Sequence, residues 1–127
     1  MSEIVFRAWH KTERKMFYRA YQKWFHVLLC DDDGQASGKG IPKLRAGYDE
    51  CILMQNTTFE DERGREIFEG DVIRIKTASG IYEGVVENVP DMFKSRKLHP
   101  LEPLFKRFGL SQNEAMRFEV IGNIYGP

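Results

Sequence analysis

The sequence predicts a mainly β protein of the α+β class, a compact SH3-like or similar small barrel of about seven strands with a short, late helical insert. Short runs rich in β-branched and aromatic residues alternate with turn-forming residues along the chain. Nine Phe, five Tyr and two Trp also favour β structure, where aromatic rings pack across strands. The run from residue 66 to 76 joins a Gly-Asp turn to a β-branched strand, an entry typical of strongly bent small barrels.

The first half of the chain contains the following apolar runs of strand length: residues 4–9, 15–21, 25–30 and 51–56. Residues 4–21 are expected to form a hairpin. A short helix over residues 18–25 is the competing interpretation, because this run lacks clean alternation. Asp31-Asp32-Asp33-Gly34, Pro42 and Gly47 predict a loop over residues 31–48.

Four residues are expected to set the backbone geometry of turns: Glu66, Gly70, Asp71 and Gly122. Gly70 can adopt a positive φ that residues with a Cβ resist. The carboxylate of Asp71 can hold nearby backbone N–H groups. Glu66, Glu69 and Asp71 also form an acidic cluster, but acid–base work would require a cleft that shifts their pKa values, and the sequence indicates none.

Residues 66–87 are expected to form the central hairpin, closed by strands from residues 4–9 and 118–124. In its first strand, Arg74 and Lys76 should point to the polar side. Gly84 lies inside the returning strand, which suggests a bulge or a sharp bend there.

A helix is predicted over residues 101–109, where Leu104, Phe105 and Phe108 occur at helical spacing. Gly109 is placed to end it. The sequence Ser111-Gln112-Asn113-Glu114 fits a capping box, which predicts one further short turn before the last strand.

The charge is balanced overall and unevenly distributed. The 127 residues contain 19 basic and 19 acidic side chains, and the length predicts a single domain over residues 1–127. Residues 1–24 carry a net charge of +4, residues 49–71 carry −6, and residues 92–109 carry +4. These segments are either solvated faces that neutralise each other or a docking surface for a charged partner.

The cysteine pattern and the hydropathy predict a reduced, cytoplasmic protein. Cys30 and Cys51 each end an apolar run without metal-like spacing, so both are expected to be buried free thiols. We expect no signal peptide, because the N-terminal residues lead directly into a strand pattern. No apolar run approaches the roughly 20 residues that span a bilayer, so no membrane partner is expected.

The sequence indicates no catalytic site, no metal site and no cofactor. The Asp31–Gly34 run lacks the distant glutamate of a calcium loop and is expected to be a solvated turn. His10, His26 and His99 lack metal-type spacing. His26 and Cys30 lie roughly 13 Å apart along a strand, which is too far for a nucleophile–base pair.

A late segment interleaves basic and aromatic residues, as single-stranded nucleic acid requires. Its basic residues are Lys94, Arg96, Lys97, Lys106 and Arg107. Against this interpretation, the helical spacing of Phe105 and Phe108 favours a role as core anchors. An ordinary solvated insert and a protein-docking surface are the other two interpretations of this segment.

Three blocks together resemble the YopX family of phage and prophage proteins, which has no assigned biochemical function. The blocks are residues 6–9, residues 53–73 with Asp61 and Gly64 within them, and residues 119–125. The chain departs from the family pattern at His10, where Asp is common, and at residues 56–58, where Tyr-Thr-Gly is common.

The resemblance implies a phage-encoded origin, a bacterial cytoplasm and a capacity for self-association as a homo-oligomer. It implies no reaction. Together with the absence of a catalytic pattern, it predicts a non-enzymatic accessory protein that binds a phage or host macromolecule, with a protein partner favoured over nucleic acid. The two alternatives are a module that binds single-stranded nucleic acid through residues 93–108 and a small enzyme with a pocket around Glu66, Glu69 or Asp71.

Overall fold

The computed structural model describes residues 5–31, 40–87, 101–111 and 114–126. Their regular elements, in chain order, are β1 (Phe6–His10), β2 (Lys15–Gln22), β3 (Val27–Asp31), β4 (Ile41–Ala46), β5 (Cys51–Glu60), β6 (Glu66–Phe68), β7 (Asp71–Thr77), β8 (Gly80–Val85), α1 (Glu102–Phe108) and β9 (Arg117–Asn123). The mainly β character and the short late helix are therefore confirmed.

The described strands form two antiparallel sheets rather than a closed small barrel. The first sheet has the order β4-β3-β2-β1-β5-β6, and the second has the order β8-β7-β9. The chain divides into two compact units, Met1–Asn56 and Thr57–Pro127, with the boundary inside the long strand β5. The described residues contain nine strands, two more than the sequence predicts.

The first unit contains the predicted N-terminal hairpin. β1 pairs with β2 on one side and with β5 on the other, and β2 pairs with β3. The competing helix over residues 18–25 does not form, because β2 continues to Gln22. The first core consists of Ala8, Phe17, Ala20, Val27, Leu29, Ala46 and Cys51, with Phe6, Leu44 and Leu53 packed against it.

Strand β4 corrects the prediction of a loop over residues 31–48. Ile41–Ala46 pairs with β3 as the edge strand of the first sheet, with a register shift between Leu29 and Cys30. Pro42 made this segment resemble a loop in the sequence, because proline has no N–H to donate to the hydrogen bonds between strands. An edge strand tolerates proline because one row of its N–H groups needs no partner strand. Residues 32–39 lie outside the described residues.

The second sheet places β7 at its centre. Within the hairpin predicted over residues 66–87, β7 and β8 pair as expected, whereas β6 joins the first sheet beside β5. β9 pairs with the other edge of β7. Of the two strands expected to close this hairpin, residues 118–124 fall largely in β9, which joins β7, whereas residues 4–9 fall largely in β1, which lies between β2 and β5 in the first sheet. Ile73 and Ile75 lie in the core, while Arg74 and Lys76 project from the opposite face as alternation requires.

The second core lies under α1. Its buried members are Ile67, Ile73, Ile75, Val86, Leu101, Leu104, Phe105 and Val120. The helix begins at Glu102 and ends at Gly109, whose φ of 68° is the left-handed conformation that ends many helices. Burial of each large apolar side chain contributes about 1.5–3 kcal/mol, which attaches this short helix to the sheet.

Gly84 is required by the helix and not by a bulge. β8 runs against β7 in continuous register through Gly84, which pairs with Ile73. A Cβ at this position would lie 2.7 Å from Leu104 Cδ2 and 3.2 Å from Phe108 Cζ. The predicted bend is therefore absent, and the missing side chain lets α1 approach the sheet closely.

Candidate binding surface

Two of the five basic residues predicted to bind nucleic acid lie among the described residues. Lys94, Arg96 and Lys97 lie outside the described residues. Lys106 and Arg107 are exposed in the last turn of α1, where positive charge suits the helix dipole. Arg107 also forms an ion pair with Glu87 at 3.8 Å.

Phe105 and Phe108 of the same segment pack inside the second unit, and Phe93 lies outside the described residues. The Phe105 ring is buried and stacks against Phe118 at a centroid distance of 6.2 Å. The Phe108 ring stacks against Tyr82 at 5.2 Å. Both rings therefore act as anchors within the second unit.

The Gly70–Asp71 turn is held by backbone hydrogen bonds. Gly70 has a φ of 86°, which a residue with a Cβ resists. The Asp71 carboxylate is buried and accepts the N–H of Phe68 at 2.8 Å. Gly70 donates to the Val86 carbonyl, and Ile124 donates to the Gly70 carbonyl. This geometry gives both residues a structural task.

The two other residues expected to set turn geometry lie beside this turn. Gly122 pairs with Val72 where β9 bulges against β7. Glu66 begins β6 and, like Glu69, is half-buried. Within the acidic cluster, the Asp71 carboxylate is engaged by the backbone of its own turn.

Asp61 joins two distant segments of the second unit. One oxygen accepts the N–H groups of Arg63 and Arg65 at 2.9 and 2.8 Å, and the other accepts the N–H of Val120 at 3.0 Å. Burial alone would raise the pKa of the Asp61 carboxyl, but the bonds from Val120, Arg65 and Arg63 outweigh burial and lower it below its ordinary value. The sequence indicated the turn at Asp61 but not its bond to β9.

Strand β5 contains a second buried polar group. The Thr57 hydroxyl donates to the Ile67 carbonyl at 2.7 Å and accepts the N–H of Phe59 at 3.2 Å. The next residue, Thr58, has a φ of 69°, which is uncommon for a β-branched residue. These features shape the connection between β5 and β6.

The histidines and cysteines of the described residues form no metal site. His10 is buried, accepts the N–H of Glu13 at its Nδ1, and places its Nε2 3.7 Å from Glu50. Burial raises the pKa of the Cys30 and Cys51 thiols, and the neighbouring acidic residues raise it further, so both remain protonated at neutral pH. No group of three potential metal ligands occurs within residues 5–31, 40–87, 101–111 and 114–126.

The face of the second sheet opposite α1 is covered by charge pairs. Arg74 bonds Glu83 on β8 at 2.9 Å and Glu119 on β9 at 3.3 Å. Lys76 pairs with Glu62 at 3.3 Å. Because basic and acidic groups neutralise each other here, this face has the character of a solvated surface.

The largest exposed apolar feature of the described residues is the turn between β2 and β3. Trp24 and Phe25 expose 88% and 82% of their surface. The Lys23 N–H donates to the His26 carbonyl at 2.9 Å, and the Tyr48 hydroxyl donates to the Lys23 carbonyl at 2.5 Å. We call the turn of residues 23–26 the aromatic tip.

The aromatic tip was not predicted from the sequence, because the apolar run of residues 25–30 places Phe25 in the third predicted strand. The polar residues on both sides of the aromatic pair are the sequence feature that could have indicated the turn: Gln22 and Lys23 precede the pair and His26 follows it. Aromatic residues are common in strands and rare in turns, so local preference concealed the turn. Its exposure makes it the best candidate for a binding surface.

Comparisons with known proteins place the chain in a family. A comparison with curated proteins found no match. The crystal structure of protein EF1440 from Enterococcus faecalis is similar, with a TM-score of 0.48 and 18% sequence identity over 98% of this chain and 95% of that one. None of the described residues belongs to a helix with the length and apolar character to cross a bilayer. The family model described as YopX protein matches residues 5–126, and the chain therefore belongs to the YopX family.

Proposed function

We propose that this protein is a non-enzymatic accessory protein of phage or prophage origin that binds a phage or host macromolecule in the bacterial cytoplasm. The aromatic tip carries the proposal. The side chains of Trp24 and Phe25 are 88% and 82% exposed. Removing this apolar surface from water is favourable, and a binding partner would do so. Trp is among the residues that most often dominate binding energy at interfaces.

The buried polar groups of the second unit support the non-enzymatic part of the proposal. Asp61, Asp71 and Thr57 all bond to backbone groups of their own turns and strands. Asp61 and Asp71 belong to the blocks that carry the family resemblance, and their chemistry is structural. A turnover activity that a single polar substitution abolishes would overturn this part.

An affinity experiment tests the binding function. The tagged protein, a Trp24→Ala/Phe25→Ala variant and an Ile81→Ala variant are compared as baits in bacterial lysate, with and without nuclease. Ile81 is a matched control because its side chain is 65% exposed on β8. We expect the double variant to lose the specific partner that the wild type and the control retain. Identical partners for all three baits would contradict the proposal.

Single-stranded nucleic acid is the second candidate partner. The first unit, Met1–Asn56, carries nine basic and seven acidic side chains, and this excess of positive charge suits a phosphate backbone. The segment of residues 93–108 supports this candidate less, since Phe105 and Phe108 are packed in the second core. Retention that nuclease abolishes, and that weakens when Lys94, Arg96 and Lys97 are changed to Ala, would establish it.

Self-association is the remaining part of the proposal. The two units carry opposite net charges, with nine basic against seven acidic residues in Met1–Asn56 and ten against twelve in Thr57–Pro127. Such opposite charges favour contacts between copies and are screened by salt. Light scattering at low and high salt concentration measures this. A single monomeric mass at both concentrations would exclude a charge-driven homo-oligomer.

A further inference from the structure

We infer that the aromatic tip inserts into an apolar cleft of a folded partner protein, and that carboxylates line the rim of that cleft. This inference rests on the proposed binding function and specifies the chemistry of the partner. The shape, the rigidity and the charge of the aromatic tip each support it.

The shape of the tip favours a cleft over a stack of bases. The Trp24 and Phe25 rings pack edge to face, with centroids 6.1 Å apart and planes inclined at 80°. Successive bases of a single strand stack on aromatic faces that follow the direction of the strand. Two nearly perpendicular rings cannot both serve one run of bases, whereas together they form a knob that a concave site can enclose.

The aromatic tip is also ordered before binding. Its backbone closes through the bond from Lys23 to His26, and the Tyr48 hydroxyl fixes the Lys23 carbonyl from outside the hairpin. The adjoining strands pair in register from Gln22↔Val27 to Arg19↔Cys30. Because the loop is already held in one conformation, little conformational entropy is lost when a partner encloses it. A preordered aromatic pair is typical of an anchor residue set.

The charge around the aromatic tip indicates the rim. Lys23 is exposed at its base, and Arg45 is exposed on β4, where it pairs in register with Leu28. The first unit, Met1–Asn56, carries nine basic and seven acidic side chains, so its net charge is positive. Opposite charge at the rim of an interface speeds association and excludes unsuitable partners. A cleft bordered by Asp and Glu therefore fits this tip better than a neutral one.

Site-specific photo-crosslinking tests the inference. The full chain carries benzoyl-phenylalanine in place of Phe25, and bacterial lysate is irradiated with and without nuclease. We expect a nuclease-resistant crosslink to one protein, mapped to apolar residues flanked by Asp or Glu. Trp24→Ala in the same chain should lower its yield about tenfold. Because Trp24 is exposed, its removal leaves the core intact, and an unchanged melting temperature confirms this.

Charge reversal tests the rim. Lys23→Glu should weaken retention of the crosslinked partner several-fold, and the effect should shrink as salt is added. Lys15→Glu is the control with the same charge change, since Lys15 begins β2 and lies at the opposite end of that strand from the tip. Its ion pair with Asp31 is exposed and contributes little to stability. Equal weakening by both variants would overturn the acidic rim.

Other outcomes separate the inference from the proposed function. Tip-dependent binding to single-stranded oligonucleotides, or to phosphatidylglycerol vesicles, would overturn the protein cleft and leave the binding function standing. A crosslink to a protein site without acidic residues would overturn the carboxylate rim and leave the binding function standing. Loss of all tip-dependent binding, to proteins, oligonucleotides and vesicles alike, would overturn both.

Discussion

The carboxylate of Asp61 accepts the backbone N–H of Val120 at 3.0 Å, across a separation of 59 residues in the chain. The other carboxylate oxygen closes the turn after β5 through Arg63 and Arg65. Nearby, the Glu62 N–H donates to the Phe118 carbonyl at 2.9 Å. One buried side chain therefore fixes both the turn before β6 and the position of the last strand.

Removal of the Asp61 carboxylate should destabilise the protein strongly. Asp61→Ala leaves three N–H groups without their acceptor, and we expect a loss of roughly 2–4 kcal/mol in the free energy of unfolding. Urea denaturation measures this. Asp49→Ala, at an exposed position, is the control and should change stability by less than about 0.5 kcal/mol. Equal losses for the two variants would show that the Asp61 bonds contribute nothing in solution.

The same carboxyl should make stability depend on pH in acid. Its pKa in the folded protein is lower than the unfolded value of about 3.9. Its stabilising contribution is therefore fully present above that unfolded value and disappears as the pH falls through the folded-state pKa. The stability difference between wild type and Asp61→Asn should be constant above about pH 5 and shrink below about pH 4. A difference that stays constant throughout this range would contradict the assignment.

Thr58→Gly should stabilise the protein. Thr58 adopts a φ of 69°, which glycine reaches without the steric strain of a Cβ. After subtraction of the extra entropy that glycine loses on folding, we expect a gain of about 0.5–1 kcal/mol. Thermal or urea denaturation measures it. Thr12→Gly is the control, because Thr12 is exposed in a turn and its φ is not positive. A lower stability of Thr58→Gly would show that the strain is relieved in solution.

Gly84→Ala should push α1 away from the second sheet. The new Cβ would lie 2.7 Å from Leu104 Cδ2, so we expect a loss of about 1–3 kcal/mol. Leu104→Ala removes the obstructing atom. The Gly84→Ala substitution should therefore cost less when Leu104→Ala is already present, which a double-mutant cycle measures. Equal costs in both backgrounds would exclude the close approach as the cause.

The strands were predictable where alternation and turn chemistry agree, as in the β7–β8 hairpin, and α1 was predictable from its spacing and from Gly109. β4 was not, because Pro42 interrupts it and only its edge position makes proline tolerable. The division of the strands into two sheets was also not predictable from the sequence. It depends on which strand β9 joins, and that choice is made by long-range bonds such as the one from Val120 to Asp61.

Two departures from the family pattern have a physical explanation that the sequence alone concealed. The family resemblance implies an Asp at the position of His10, and here the His10 Nδ1 accepts the N–H of Glu13 at 3.0 Å, as a turn carboxylate would. The family resemblance implies a glycine at the position of Thr58, and the positive φ of Thr58 is a conformation that glycine adopts without strain. His10 therefore keeps the hydrogen bond that closes its turn, whereas Thr58 carries the backbone strain of a positive φ.

The candidate binding surface was the least predictable feature, because exposure is a property of the folded chain. The sequence drew attention to Phe105 and Phe108, whose rings are packed against Phe118 and Tyr82. Trp24 and Phe25 drew none, since an aromatic pair between two apolar runs resembles a continued strand. Only the chain reversal between Gln22 and Val27 exposes them.

The placement of β9 also has a consequence for biosynthesis. The first core draws all its members from residues 6–53, so they leave the ribosome together and early. The second core needs Val120 from the last strand, and one edge of β7 stays unpaired until β9 emerges. A nascent chain halted before Arg117 would present that open edge to other chains. Ribosome pausing after Thr77 and before Arg117 would therefore favour aggregation.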